Sequence, residues 1–224
     1  FLPTGTYFAD IGSDHAYLPC YVCLQDDIAR AIAGEVNIGP YRSAIKNVKD
    51  HELSDRIDVR LGDGLTVIGD DPITEVVLAG MGGALIADIL ESGKRHLHSV
   101  KQVIVQPNIT SHIVREWFIQ NHFYIVDEYI LEENNHIYEI IIAENSNDTH
   151  EIHQTLTPQQ ILFGPFLLEK KSEVFLKKWH HEKQNYERIL IQMNKASHPN
   201  KEKIMDFKKE LSWIKEVLSD GKAN

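Results

Sequence analysis

A short polar segment near the start of the chain carries residue types suited to ligand binding. It runs Asp10-Ile11-Gly12-Ser13-Asp14-His15 and follows a short apolar run. A dinucleotide-binding fold places further glycines here, because a pyrophosphate needs bare backbone at a helix N-terminus. A carboxylate at position 14 would repel a pyrophosphate, but it suits a ligand that carries an ammonium or a sulfonium group. The segment therefore predicts a site for a cationic ligand without phosphate.

Three residues of this segment are expected to contact the ligand. Gly12 would let the ligand approach the backbone closely, because glycine has no side chain in the way. Asp10 and Asp14 are candidates to hold an ammonium group, directly or through water. Asp14 has an alternative role as the N-cap of the following helix. Capping and binding are compatible, and both stay open.

Two further acidic residues follow later apolar runs. Glu35 lies 23 residues after Gly12, and its carboxylate can accept hydrogen bonds from both hydroxyls of a ribose. Asp63, followed by Gly64, is placed to accept a hydrogen bond from an adenine amino group. A plain glycine turn is the alternative for Asp63 and Gly64. Glu35 alone does not discriminate, since folds that bind nicotinamide dinucleotides use the same device.

A glycine-rich stretch follows the fourth apolar run and comprises Gly80, Met81, Gly82 and Gly83. Ligands of open α/β sheets bind outside the carboxyl ends of the strands, so this turn would form the floor beneath a reacting group. The four turns in this order favour S-adenosylmethionine, which carries an ammonium, a sulfonium, a ribose and an adenine but no phosphate.

Short apolar runs that alternate with longer helical patterns must position these turns. Helices are expected over about 17–28, 38–53, 83–95 and 110–121, between apolar runs that are typical of buried parallel strands. These runs are Tyr7-Phe8-Ala9, Ala31-Ile32-Ala33-Gly34, Ile57-Asp58-Val59-Arg60-Leu61, Glu75-Val76-Val77-Leu78-Ala79 and Val103-Ile104-Val105. Alternating strands and helices predict an α/β fold with a doubly wound, Rossmann-like sheet.

The alternation of strand and helix patterns ends after residue 121. Two β-rich runs, Tyr124 to Leu131 and Ile137 to Ala143, follow each other with only a polar turn between them. They predict an antiparallel hairpin that closes the sheet. Five strand–helix units followed by a hairpin are typical of class I methyltransferases.

The remainder of the chain is expected to be a separate helical hairpin. Residues 144–157 are a polar linker, so the predicted domains are 1–153 for cofactor binding and catalysis and 154–224 for an α-helical coiled coil. His198-Pro199-Asn200 breaks the helical pattern. One apolar stripe has the spacing of a coiled-coil seam, and the helix before it has a similar stripe: Ile204, Phe207, Leu211, Ile214 and Leu218, and Phe175, Trp179, Tyr186, Ile189 and Met193.

The overall composition bears on the charge, the location and the metal content of the protein. The chain has 224 residues and a net charge of −10, but the charge is unevenly spread: residues 158–224 hold 13 basic against 9 acidic residues. No apolar run reaches the roughly 20 residues of a membrane span. The chain has two cysteines and no disulfide framework, which predicts a location in the reducing cytoplasm. Cys20 and Cys23 are expected to be two small buried residues, since a zinc site needs about four ligands and no second pair exists. No metal is expected.

The block from Asp10 to Pro19, together with residues 79–83 and Gln106-Pro107-Asn108, resembles the bacterial tRNA (adenine-N1)-methyltransferase family known as TrmK. The resemblance covers essentially the whole chain. It implies S-adenosylmethionine as the methyl donor and N1 of the adenine at tRNA position 22 as the acceptor. It also implies a class I domain followed by a coiled-coil domain.

The residues expected to serve the acceptor are Asp14, His15, Tyr17 and Asn108. Tyr17 would stack on a flipped base, Asn108 would bond the Watson–Crick edge of that base, and His15 would position the base or take up a proton. No strong general base is needed, because N1 of adenine carries a lone pair at neutral pH. Tyr17 has an alternative place in the core.

The lysines of the tail would supply a salt-sensitive grip on phosphates, although a solvated face of mixed charge is the alternative. The expected partner is tRNA, without membrane or metal, and the expected state is a monomer or weak dimer. Two other functions stay open: methylation of another RNA or a small molecule, with the tail used for dimerisation, and a non-catalytic binding module.

Overall fold

The computed structural model describes residues 1–145, 154–196 and 199–220, which form two compact units. The first, called the sheet unit, comprises Phe1–Tyr129 and Glu139–Leu156. The second, called the helical unit, comprises Ile130–Tyr138 and Thr157–Asn224. The predicted boundary after residue 153 lies outside the described residues, as does His198 of the predicted helix break.

A seven-stranded mixed sheet has the spatial order β3-β2-β1-β4-β5-β7-β6. Neighbouring strands from β1 to β5 pair in parallel, and β7 pairs antiparallel with β5. The strands are β1 (Tyr7–Ile11), β2 (Arg30–Glu35), β3 (Ile57–Leu61), β4 (Glu75–Gly82), β5 (Gln102–Ile109), β6 (Phe123–Glu133) and β7 (His136–Asn145). The predicted Rossmann-like α/β architecture is confirmed.

The chain reverses its direction of travel across the sheet at β1, which pairs with β2 on one side and with β4 on the other. Open α/β sheets bind ligands at such a reversal, outside the carboxyl ends of the strands. The buried apolar residues of these central strands fix the register, since a shift by one residue would turn them out of the core. The carboxyl ends of β1, β2 and β4 therefore define where a ligand would bind.

The helices of the sheet unit are shorter than expected at several ends. They are α1 (Tyr17–Gln25), α2 (Ile38–Asp50), α3 (Gly83–Ser92) and α4 (Ser111–Gln120). The helix expected over 17–28 ends at Gln25, and Asp26 adopts an extended backbone as its C-cap. Cys20 and Cys23 are buried on α1 as free thiols, so the expectation of two small core residues is confirmed.

Strand β4 and helix α3 meet β5 at very short range. A Cβ atom on Gly83 would lie 2.3 Å from the backbone oxygen of Thr110 and 3.0 Å from that of Ile109. Backbone atoms cannot yield as a flexible side chain can, so only glycine fits this position. The approach holds the ends of β4 and β5 against each other.

In the helical unit the first of the two expected long helices is preceded by two short ones. The described helices are α5 (Pro158–Phe163), α6 (Pro165–Lys170), α7 (Glu173–Lys195) and α8 (Lys201–Asp220). Gly164, with φ of 90°, and Pro165 separate α5 from α6. A glycine with positive φ followed by a proline cannot continue a helix. The two long helices are present as α7 and α8, and the two short helices before them were not predicted.

Two apolar clusters hold the helical unit together. Ile214 and Leu218 pack with Phe175 and Trp179 in one, and Ile204 and Leu211 pack in the other. Four of the five residues of the apolar stripe expected on α8 are buried. The fifth, Phe207, packs against the second cluster. On α7 Leu190 is buried, whereas the expected Ile189 is half-buried. No helix in the described ranges is both long enough and apolar enough to span a membrane.

Candidate active site

A cavity of about 320 Å³ lies at the carboxyl ends of the central strands. The candidate residues Gly12, Glu35, Asp63, Gly64 and Met81 all line it. Ile11, Gly34, Val36, Asn37, Gly62, Leu85 and Ile89 complete the lining. Within the described part of the chain, the lining therefore holds two carboxylates and no basic side chain, which favours a cationic ligand.

The loop after β1 is fixed by the end of β2. The backbone N–H groups of Gly12 and Ser13 both donate to the carbonyl oxygen of Gly34, at 2.9 and 3.0 Å. The N–H of Asp14 donates to Oε1 of Glu35 at 2.8 Å. Glu35 is only 6% exposed. Because its carboxylate accepts this hydrogen bond, it anchors the loop, and it also forms part of the cavity wall.

Three consecutive residues of the loop adopt positive φ angles, at 33° for Asp14, 62° for His15 and 56° for Ala16. Such angles are costly for residues with a Cβ atom, at about 1–3 kcal/mol each, and they concentrate at functional sites. Asn47 on α2 supports this conformation by donating to the carbonyl oxygen of His15 at 2.9 Å. Nothing in the local sequence except Gly12 indicates the strain.

The N-cap of α1 is Ala16, and no side chain caps it. The alternative role of Asp14 as a cap is therefore wrong. Its carboxylate is exposed and lies 3.3 Å from Nε2 of His15.

Asp10 lies beneath the loop and does not line the cavity. It is 5% exposed, and the hydroxyl of Ser13 donates to its Oδ2 at 2.6 Å. Burial raises the pKa of Asp10 to about 6, and the negative charge of Glu35 adds to this shift against the lowering effect of Ser13. A cation bound nearby would stabilise the ionised carboxylate.

His15 and Tyr17 form a stacked pair with ring centroids 5.3 Å apart. Tyr17 is 63% exposed at the first position of α1, so its alternative place in the core is wrong. The two rings are inclined by 28° to each other, and the Tyr17 ring is exposed.

The glycine-rich stretch from Gly80 to Gly82 forms an irregular part of a strand and not the expected turn. Strand β4 continues to Gly82, with register shifts relative to β5 on either side of Met81. The N–H of Gly80 donates to Oε1 of Gln106 at 2.9 Å, and Nδ2 of Asn108 donates to the carbonyl oxygen of Gly80 at 2.8 Å. Nε2 of Gln106 donates to Oδ1 of Asn108 at 3.0 Å, which closes a ring of three hydrogen bonds.

The structure thus brings five of the expected site residues together around one cavity, namely Gly12, Glu35, Asp63, Gly64 and Met81. Seven other expected residues lie outside the cavity lining in the described part of the chain: Asp10, Asp14, His15, Tyr17, Gly80, Gly82 and Asn108. Ser13, Asn47 and Gln106 were not among the expected site residues. No group of three or more His, Cys, Asp or Glu side chains in the described ranges is placed to hold a metal ion.

Comparison with known proteins identifies the family of the chain. The family model for tRNA (adenine(22)-N(1))-methyltransferase matches residues 8–216. The chain belongs to this family. A tRNA (adenine(22)-N(1))-methyltransferase of Bacillus subtilis (strain 168) is 42% identical over 223 residues, which are 99% of this chain and 94% of that protein. The resemblance found in the sequence is confirmed.

Two solved structures of relatives carry ligands. A putative tRNA (m1A22) methyltransferase of Streptococcus pneumoniae, in complex with S-adenosyl-L-methionine, is 40% identical with a TM-score of 0.85. That match covers 97% of this chain and 94% of the other. TrmK of M. capricolum, in complex with S-adenosyl-homocysteine, is 26% identical with a TM-score of 0.80 and covers 96% and 91% of the two chains.

Proposed function

We propose that this member of the tRNA (adenine(22)-N(1))-methyltransferase family transfers a methyl group from S-adenosylmethionine to N1 of adenine 22 in tRNA. The observation that carries the proposal is a cavity lined by two carboxylates and by Ile11, Gly12 and Met81 of the family motifs, in a chain that matches the family over residues 8–216. The same cavity without the family match would equally fit a methyltransferase of another RNA or a small molecule.

The cavity residues fit the methyl donor. Glu35 would accept hydrogen bonds from the ribose hydroxyls, and Asp63 beside Gly64 would accept one from the adenine amino group. Gly12, Met81 and the backbone around Gly80 and Gly82 would surround the methionine part, with Asp10 and Asp14 favouring its ammonium group. When bound, S-adenosylmethionine supplies a methyl group on a cationic sulfur that leaves as a neutral thioether.

The acceptor side would be formed by Asp14, His15, Tyr17 and Asn108. The stacked His15–Tyr17 pair presents an exposed face on which a flipped base can stack. N1 of the base attacks with its own lone pair, so the chain's main tasks are orientation and stabilisation of the positive charge that develops on the ring. The exposed carboxylate of Asp14 supplies negative charge on this side.

The direct test is mass spectrometry of nucleosides from unmodified tRNA incubated with the protein and S-adenosylmethionine. We expect 1-methyladenosine, and we expect Tyr17→Ala to lower kcat/KM for tRNA by about 10- to 100-fold, since base stacking contributes about 1–3 kcal/mol. Tyr17→Phe is the matched control and should keep most of the activity. No 1-methyladenosine with the wild-type chain would refute the proposed function, and an unimpaired Tyr17→Ala would refute the stacking role.

A second expectation concerns pH. If bound S-adenosylmethionine stabilises ionised Asp10, binding must release a proton wherever free Asp10 is protonated, which is below its pKa of about 6. Affinity should therefore be constant above pH 7 and fall about tenfold by pH 5. Calorimetry across this range checks it, and Asp10→Asn should flatten the profile. A wild-type affinity that does not change between pH 5 and pH 8 would contradict the expectation.

We further propose that the predicted domain of residues 154–224 is a coiled-coil hairpin that binds tRNA. Exposed lysines on α7 and α8 support this role, although exposed acidic residues such as Glu202 and Asp206 lie between them. The alternative use of the unit for dimerisation remains a second candidate, and the expected state is a monomer or weak dimer. A tRNA-modifying role favours the cytoplasm as the location.

A further inference from the structure

The irregular stretch of β4 has an unusual way of satisfying its backbone. The pairing of β4 with β5 passes from Ala79–Gln106 directly to Met81–Pro107, so Gly80 is left out of the ladder. A residue left out in this way needs other partners for its N–H and C=O groups. Gln106 accepts from the N–H, and Asn108 donates to the C=O.

This arrangement determines the orientation of both side-chain amides. A backbone N–H can only donate, so Gln106 must turn its oxygen to Gly80 and its nitrogen to Asn108. A backbone carbonyl can only accept, so Asn108 must turn its nitrogen to Gly80 and its oxygen to Gln106. Reversal of either amide would bring two donors or two acceptors together.

Adenine in position for methylation has few groups left for recognition. Its N1 must keep its lone pair for the methyl group, so the 6-amino group is the remaining polar group of the Watson–Crick edge. That amino group is a donor, and the complementary group is an acceptor such as the second lone pair of the Asn108 oxygen. Guanine carries a carbonyl acceptor at the same place, which an acceptor would repel.

We propose that Gln106 is a positioning residue, which holds the Asn108 amide with its oxygen available to the 6-amino group of the target adenine. The inference rests on the proposed function, since it deepens the acceptor role of Asn108. Gln106 is half-buried and Asn108 is exposed. Asn108 is therefore the one placed to contact the base, while Gln106 holds the Asn108 oxygen through its hydrogen bond. The two residues together would select adenine through one oriented amide.

The test removes the interaction from both sides. Gln106→Met keeps the length of the side chain but can neither accept from Gly80 nor donate to Asn108. With tRNA bearing adenine at the target, we expect kcat to fall by about 10- to 100-fold, as for a displaced catalytic group. The KM for tRNA and the Kd for S-adenosylmethionine should change less than threefold. Gln120→Met, at an exposed position at the end of α4, is the matched control.

Two further comparisons separate positioning from a general structural role. In tRNA that carries purine riboside at the target, the 6-amino group is absent and N1 is still present. On this substrate, and likewise in an Asn108→Ala background, Gln106→Met should cause little further loss, because the contact that it supports is already gone.

An equal loss on the purine substrate, or additive losses with Asn108→Ala, would overturn the inference but leave the proposed function intact. A Gln106→Met variant with wild-type kcat would do the same. A wild-type chain that forms no 1-methyladenosine would overturn the proposed function and this inference with it.

Discussion

Replacement of Glu35 by alanine should weaken S-adenosylmethionine binding by about a hundredfold or more. Hydrogen bonds to a charged group contribute about 1.5–3 kcal/mol each, and the proposed ribose contact uses this carboxylate. The same substitution removes the acceptor for the N–H of Asp14, so the loop that borders the cavity also loses its anchor. Titration calorimetry of the purified variant measures the loss.

Glu35→Gln separates these two effects. Its amide oxygen can still accept from Asp14, but it no longer offers a second acceptor oxygen to the ribose. We expect an intermediate loss of about tenfold. Glu116→Gln, at an exposed position on α4, is the control for the change in charge and should bind normally. Wild-type affinity in Glu35→Ala would remove Glu35 from the cofactor site.

Reversal of charge on the helical unit should have the second large effect. Lys195, Lys201, Lys203 and Lys208 are exposed around the connection between α7 and α8. Changing all four to glutamate should weaken tRNA binding by at least about a hundredfold at low salt, because contacts to phosphates dominate such affinity. Binding assays across a range of salt concentrations measure both the loss and the reduced salt dependence.

The matched variant changes the same four lysines to arginine and should keep both the affinity and the salt dependence. The affinity for S-adenosylmethionine should be unaltered in both variants, since the cavity lies in the sheet unit. If the glutamate variant bound and methylated tRNA normally, the dimerisation alternative would be favoured instead.

Much of the architecture could be predicted because buried strands and glycine turns leave local patterns. The strand over Ile57–Leu61 was predicted to the residue. Glu35, Asp63 and Met81 were predicted to share a site because parallel strands place their carboxyl ends at one edge. The structure places all three around the same cavity.

What the sequence could not predict depends on contacts between distant residues. The proposed role of Gln106 depends on the register of β4 and β5, where Gly80 is left out. The position of Ser13 over Asp10 and the left-handed backbone of His15 likewise depend on how the loop meets β2 and α2. The break between α5 and α6, by contrast, has a local signal in the sequence, since Gly164 is followed by Pro165.

The left-handed run from Asp14 to Ala16 also sets a limit on how the protein can be improved. Residues with a Cβ atom are destabilising in this conformation, so substitutions that relax the loop would make the fold more resistant to heat. The same loop holds the proposed donor and acceptor contacts in place. Selection for thermostability alone would therefore favour changes at these positions, and the selected variants would lose activity. An engineered variant should leave this loop unchanged.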